Sequence, residues 1–119
     1  MAERAGVTVL DPLLHQPARL RIMVTLYRNR QLGFPALRDE LGLTPGNLGA
    51  HLEKLEVAGY LSAARVLAGT SFEMRYRITP EGSEAFRSYL AALRSVLTQA
   101  EELSGASSTP ASSPWRAPG

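Results

Sequence analysis

Residues 41–61, LGLTPGNLGAHLEKLEVAGYL, limit what this chain can fold into more than any other stretch. Gly42 is a natural helix stop, Thr44 a helix cap, and Pro45 a residue tolerated at a first helical position. Leu48, Leu52 and Leu55 then recur at helical spacing, and Gly59 ends the run. The helix predicted over 44–58 therefore has a good leucine seam. Yet Gly46 and Gly49 stand in its first two turns, where each costs about 1 kcal/mol relative to alanine. Small residues at the front of such a helix need a reason.

A chain of 119 residues makes one domain with a modest core. No apolar run approaches the ~20 residues of a membrane span. MAERAGVTVLDP has neither the basic start nor the apolar centre of a signal peptide. Cysteine is absent, which removes disulfides, thiolate catalysis and thiol redox switching. The expectation is a small cytoplasmic protein. A formal charge of +2 does not by itself argue for nucleic acid. Every basic residue except Lys54 is arginine, whose planar fork suits phosphates and base edges, although a solvated surface accounts for most of them.

Upstream, Asp11-Pro12 and Pro17 mark helix entry, and Leu20, Met23, Val24 and Tyr27 follow at helical spacing. The first helix fades near Asn29 and breaks at Gly33, and Phe34, Leu37 and Leu41 seed a short second one. Beyond the third helix the period changes to two. In SFEMRYRI, Phe72, Met74, Tyr76 and Ile78 alternate with charged residues, and LSAARVL is a weaker partner strand. A turn at Ala68-Gly69-Thr70 sets Val66 opposite Phe72 and Ala64 opposite Met74. The same register pairs Arg65 with Glu73 on the other face.

Thr79-Pro80-Glu81 opens a last helix with a cap, a first-position proline and an early acid. Phe86, Leu90, Leu93, Leu97 and Ala100 repeat every four or three residues, and Tyr89, Val96 and Leu103 widen the stripe. At about 36 Å, this helix outruns the core beneath it, which implies a partner. Residues 1–10 read as a lead and 11–103 as the domain. Residues 104–119, rich in Ser, Ala and Pro with a lone Trp115, read as a disordered tail dispensable for the fold.

Helix, helix, helix, hairpin, helix is a mainly α chain with a small β-hairpin. Through HQPARLRIMVTL, FPALRDELGLTPGNLGAHLEKLEVAGYL and YRITPEG, residues 10–97 resemble the MarR/ArsR-like winged helix-turn-helix transcriptional regulators. The resemblance implies a winged helix with a long C-terminal dimerisation helix, binding double-stranded DNA as a homodimer. The helix over 44–58 would enter the major groove, with the hairpin over 61–78 as the wing. The dimer contacts would come from Phe86, Leu90, Leu93, Leu97 and Ala100.

That reading gives the glycines a purpose. Winding at 3.6 residues per turn turns Gly46, Asn47, Ala50 and Lys54 away from the leucine seam. Small residues at the leading end permit close approach to a duplex, and the helix N-terminus favours phosphate. Thr44 stands at that end. Asn47 can bond adenine through its amide, Ala50 can meet a thymine methyl, and Lys54 suits a phosphate. Gly49, on the flank, has two readings: close approach to DNA, or tight packing against the second helix. His51, nearer the core edge, reads as structurally hydrogen-bonded ahead of a base contact. Arg65 and Arg75 are the wing's cations, set back from an uncharged tip, and Arg19, Arg28 and Arg38 are further candidates for phosphates.

Two other classes compete. A winged helix can serve protein–protein contact alone, with Gly46, Asn47 and Ala50 as a small flat docking surface, and the near balance of charge between Thr44 and Ile78 keeps that alternative in play. An enzyme fares poorly, because the chain has no phosphate-cradling glycine loop and only two histidines, His15 and His51, at unrelated places. No metal site and no cofactor are expected. An effector, if the chain has one, would on the resemblance be a small organic molecule in a cleft between the DNA-binding part and the dimer helices.

Overall fold

The computed structural model describes residues 10–105. Their elements are α1 (Pro17–Asn29), β1 (Gln31–Gly33), α2 (Phe34–Leu41), α3 (Pro45–Val57), β2 (Leu61–Ala68), β3 (Ser71–Ile78) and α4 (Pro80–Ser104). The strands form one antiparallel sheet in the order β1-β3-β2. The lead at 1–9 and the tail beyond 105 lie outside the described residues. The last helix runs through Ser104 to a left-handed Gly105 cap, slightly past the boundary the sequence suggests.

The starts of α1, α3 and α4 follow their local chemistry. Gln16 Oε1 accepts from the Arg19 amide, Thr44 Oγ1 from Asn47, and Thr79 Oγ1 from Gly82, and a proline opens the first turn behind each cap. These caps satisfy amides that no helical carbonyl can reach. Gly42 ends α2 in the left-handed conformation.

The core gathers Leu14, Ile22, Met23, Leu26, Leu37, Leu48, Leu52 and Leu55, with Leu41, Leu61, Tyr76, Phe86 and Tyr89 around them. Burial of each large apolar side chain contributes about 1.5–3 kcal/mol relative to exposure. The α3 seam is as expected, but the α1 seam is so only in part, through Leu20 and Met23. α1 buries Ile22, Met23, Thr25 and Leu26, leaving Val24 and Tyr27 exposed. Two helically spaced apolar stripes coexist on α1, and periodicity does not choose between them. The choice falls to the arc that meets α2, α3 and the sheet.

Three further departures are tertiary. First, β1 is a strand that the sequence reading lacks. Leu32 pairs with Tyr76 and Gly33 with Arg75, and a side chain at Gly33 would run into the Glu73 carboxylate. Second, the hairpin register is shifted by one residue. Arg65 lies opposite Met74, Val66 opposite Glu73 and Leu67 opposite Phe72. Only Gly69 and Thr70 form the turn, with Gly69 at φ 68° and Thr70 at negative φ. That is the type II′ pattern, whose twist suits a two-residue loop better than the expected three-residue turn. Third, Asp11 and His15 tie the segment before α1 to the body. The Tyr60 hydroxyl donates to Asp11 Oδ2 at 2.6 Å, and His15 Nδ1 lies 2.8 Å from the Tyr89 hydroxyl. The bond to Asp11, with burial and the carboxylate's charge, pushes the Tyr60 hydroxyl up to about 12.

α4 leaves the body after its first half. Gly82, Phe86 and Tyr89 are buried and Leu93 is half-buried against the core. Gly82 lets the helix rest on the backbone of Tyr60, whose carbonyl a Cβ would overlap. Glycine-to-alanine changes inside helices ordinarily stabilise by about 1 kcal/mol. Gly82→Ala is expected to do the reverse, lowering unfolding free energy by about 1–3 kcal/mol through overpacking. Urea denaturation measures it, and an unchanged midpoint would show that α4 can slide.

Candidate nucleic-acid interface

α3 presents two unlike faces. Leu48, Leu52 and Leu55 point into the core, while Thr44, Gly46, Asn47, Ala50 and Lys54 are exposed. A Cβ built on Gly46 or Gly49 meets no atom within 4 Å, and neither glycine has a positive φ. Packing against α2 therefore does not explain Gly49. The front of this helix is small without any intramolecular need to be.

The two ends of the exposed face differ in chemistry. At the leading end, the Thr44 hydroxyl oxygen accepts from the Asn47 amide N–H at 3.2 Å. That bond uses only the Asn47 backbone, and its side chain stays exposed. Further back, Glu53 stands beside Lys54, so the face carries little net charge. Val57, 81% exposed, lies opposite the leucine seam. It is a member of this surface that sequence reasoning overlooked, although the winding used to place Ala50 also reaches it. With Leu13, Ala50, Lys54 and Ala58 it lines a cleft of about 520 Å³.

His51 sits at the edge of this face, bound to α1. Arg19 donates through Nε to the Leu13 carbonyl at 2.7 Å and lies 3.3 Å from His51 Nδ1 through a terminal nitrogen. A guanidinium can only donate, so Nδ1 is the acceptor and carries no proton. Burial first, then the Arg19 and Lys54 charges, hold His51 below the ordinary histidine value. It is therefore neutral at neutral pH. Arg19, one of the arginines considered for phosphate, instead braces α1 against α3. Arg38 pairs with Asp39 at 3.5 Å, and Arg28 is exposed.

The wing separates its two arginines. On the face continuous with the core, the cross-strand pairs are Leu61–Ile78, Ala63–Tyr76, Arg65–Met74 and Leu67–Phe72. The opposite face carries Glu73 and Arg75, joined at 3.1 Å. The expected Arg65–Glu73 pair does not form, since the register sets them on opposite faces. The Arg65 guanidinium lies instead over the Phe72 ring, 4.5 Å from its centroid.

Of the residues expected at a dimer contact, Phe86 is only 3% exposed and packs in the protomer's own core, its ring 5.0 Å from that of Tyr27. It is not available to a partner. Leu93 is half-buried against the core, whereas Leu90, Leu97 and Ala100 are exposed. A second cavity, about 330 Å³, opens between α1, the end of β3 and the start of α4, where Tyr27, Arg30, Arg77 and Ser83 line it. No described helix is long and apolar enough to cross a membrane.

A family model described as a winged helix DNA-binding domain matches residues 18–97. An uncharacterized protein of Methanocaldococcus jannaschii is 31% identical over 78 residues, covering 66% of this chain and 85% of that protein. A transcriptional regulator homologue from Pyrococcus horikoshii has a similar solved structure. It gives a TM-score of 0.74 at 30% identity, over 83% of this chain and 98% of that one. The AntR antimony-specific transcriptional repressor gives 0.59 at 28% identity, over 85% of each chain.

Proposed function

The chain belongs to the winged helix DNA-binding domain family, and from that premise we propose that it is a sequence-specific transcriptional regulator acting on double-stranded DNA as a homodimer. In this reading α3 enters the major groove and the β2–β3 hairpin is the wing. The observation that carries it is the front of α3: Gly46 and Gly49 leave open space where alanine would fit, beside the exposed Asn47. A helix gains nothing internally from such residues. A duplex pressed against it does.

Labour along the helix divides by chemistry. Asn47 can make paired bonds to adenine N6 and N7, discriminating by about 1–3 kcal/mol against other bases. Lys54, further back, is a point charge suited to phosphate. Thr44, Gly46 and Ala50 give close approach around them. His51, bound to Arg19, is a positioning residue that fixes α3 on α1, and Arg75, held by Glu73, is directed away from the core face of the wing.

The test begins with selection of bound duplexes from a random pool, followed by titration against the selected and a scrambled duplex at several salt concentrations. Asn47→Ala is expected to weaken the selected duplex by roughly tenfold while sparing the scrambled one. Lys54→Ala is expected to weaken both alike and to lower the salt slope by about one ion per subunit. Equal losses on both duplexes for Asn47→Ala would refute its base-reading role.

The cavity between α1, β3 and α4 is of a size that holds small ligands. It is our candidate place for a small organic effector. The antimony specificity of the AntR repressor is not carried over, because soft-ion sites rest on cysteine thiolates and this chain has no cysteine. One observation favours a second reading, a protein-docking module without DNA: the cleft beside Val57 and Leu13, on a face of little net charge. Retention of duplex at low salt decides between the two.

A further inference from the structure

His51 is the one histidine of α3, and its ring nitrogen is where that helix meets the Arg19 guanidinium of α1. We propose that this contact is a proton-operated latch: neutral His51 holds the reading helix in place, and mild acid releases it and blunts the choice of DNA sequence. The effect on DNA rests on the DNA-binding reading above, whereas the latch itself can be measured without DNA.

The latch follows from which groups can donate. Arg19 is fixed at one end, where its Nε donates to the Leu13 carbonyl at 2.7 Å. Its terminal nitrogen then reaches His51 Nδ1 at 3.3 Å. A guanidinium offers no lone pair and keeps its charge at any pH near neutral. The bond therefore exists only while Nδ1 carries no proton. Histidine is the side chain that changes state in this range, and a proton on Nδ1 turns the acceptor into a donor. Two cations then face each other where a bond had been.

No carboxylate among the described residues offsets that second charge. Burial, then Arg19 from α1 and Lys54 from α3 itself, already hold the ring below the ordinary histidine value. Asp11, in the segment before α1, is engaged by the Tyr60 hydroxyl and the Leu13 amide. Glu53 lines the cleft beside Val57, and β2, which also packs on α3, carries Arg65 and no acid. The leucine seam holds α3 by burial, which has no direction and resists a small rotation weakly. The Arg19 bond is directional. Asn47 lies one turn ahead of His51, so a rotation there displaces its amide, and paired bonds to a base need a fixed geometry.

A protonated ring also adds a cation to the face, which favours every duplex alike. The ratio of selected to scrambled affinity separates that effect from loss of position. The full chain is titrated against both duplexes from about pH 7.5 down to about pH 5, and the parent's ratio is expected to fall about tenfold, the loss of one paired base contact. His51→Asn keeps an acceptor for Arg19 and takes up no proton, so its ratio is expected not to change with pH. His51→Lys, a fixed cation, is expected to give a low ratio throughout. Both variants retain His15, the other histidine of the chain, as an internal control. Without DNA, NMR of the parent is expected to show a neutral ring protonated on Nε2 and titrating below the ordinary histidine value, with α3 amide shifts following the same curve. Arg19→Gln should move that titration up. A parent ratio constant with pH would overturn the proposal, as would an equal fall in His51→Asn. So would a proton on Nδ1 at neutral pH. A parent that retains no duplex at low salt removes the DNA-binding reading instead, and the NMR titration still decides the latch.

Discussion

Replacing Leu90 and Leu97 together by glutamate is expected to give a folded monomer that binds a two-half-site duplex at least about 100-fold more weakly. α4 runs for about 37 Å at 1.5 Å per residue, but its buried residues all lie in its first half. Leu90 and Leu97 are 39% and 54% exposed and stand two turns apart, Leu97 on the part that projects. Tyr27 of α1 rests on Phe86, one turn before Leu90, so exposed apolar surface of α1 adjoins that of α4. A two-fold interface buries the same patch on both copies, and four introduced carboxylates there would repel across the axis. Loss of the dimer separates two half-sites that the intact protein reads at once, about 34 Å apart. Leu93 is a poorer site for this test, because it packs partly on the core and a charge there would also cost the protomer stability. Sedimentation and duplex titration check the result. A parent that is already monomeric at micromolar concentration would sink the dimer.

Gly46→Ala with Gly49→Ala is expected to pull stability and binding in opposite directions. Both positions have ordinary helical backbone and open space around the added Cβ. The free protein should therefore gain about 0.4–1 kcal/mol per site from the reduced freedom of the unfolded chain. The duplex should lose affinity by about tenfold or more, since methyl groups inserted in a close contact cost about 1–3 kcal/mol. Urea denaturation and duplex titration, run on the same preparations, give both signs. If the double variant is more stable and binds as tightly as the parent, the glycines are not there for DNA. Gly82→Ala, which meets the Tyr60 backbone, is the contrasting control within the same chain.

Much of the scaffold was legible because its causes are local. Thr44 and Thr79 cap their helices with their own hydroxyls, and Gly42 supplies a left-handed stop that any reader of helix ends would look for. Along α3, a single apolar stripe left no choice of face, so Gly46, Asn47, Ala50 and Lys54 were placed outward from spacing alone. The same logic placed only Leu20 and Met23 on α1, where two stripes compete, and it failed on Phe86, whose spacing fits a dimer seam and a core equally well. His51 shows the limit at a single residue. Its role depends on Arg19, thirty-two positions away, which no window of sequence brings near it.

The sequence by itself determined the order of elements, the caps, the α3 seam and the presence of a hairpin, because each depends on contacts within a few residues. Tertiary structure decided which α1 stripe is buried, that Gln31–Gly33 joins the sheet, and how the two strands of the wing are aligned. Those choices depend on partners far along the chain and on the twist of a two-residue turn. In a strand of period two, one step of register transfers every side chain to the other face. That single step moved Arg65 from Glu73 to Phe72, and with it the charge and the apolar surface of the wing.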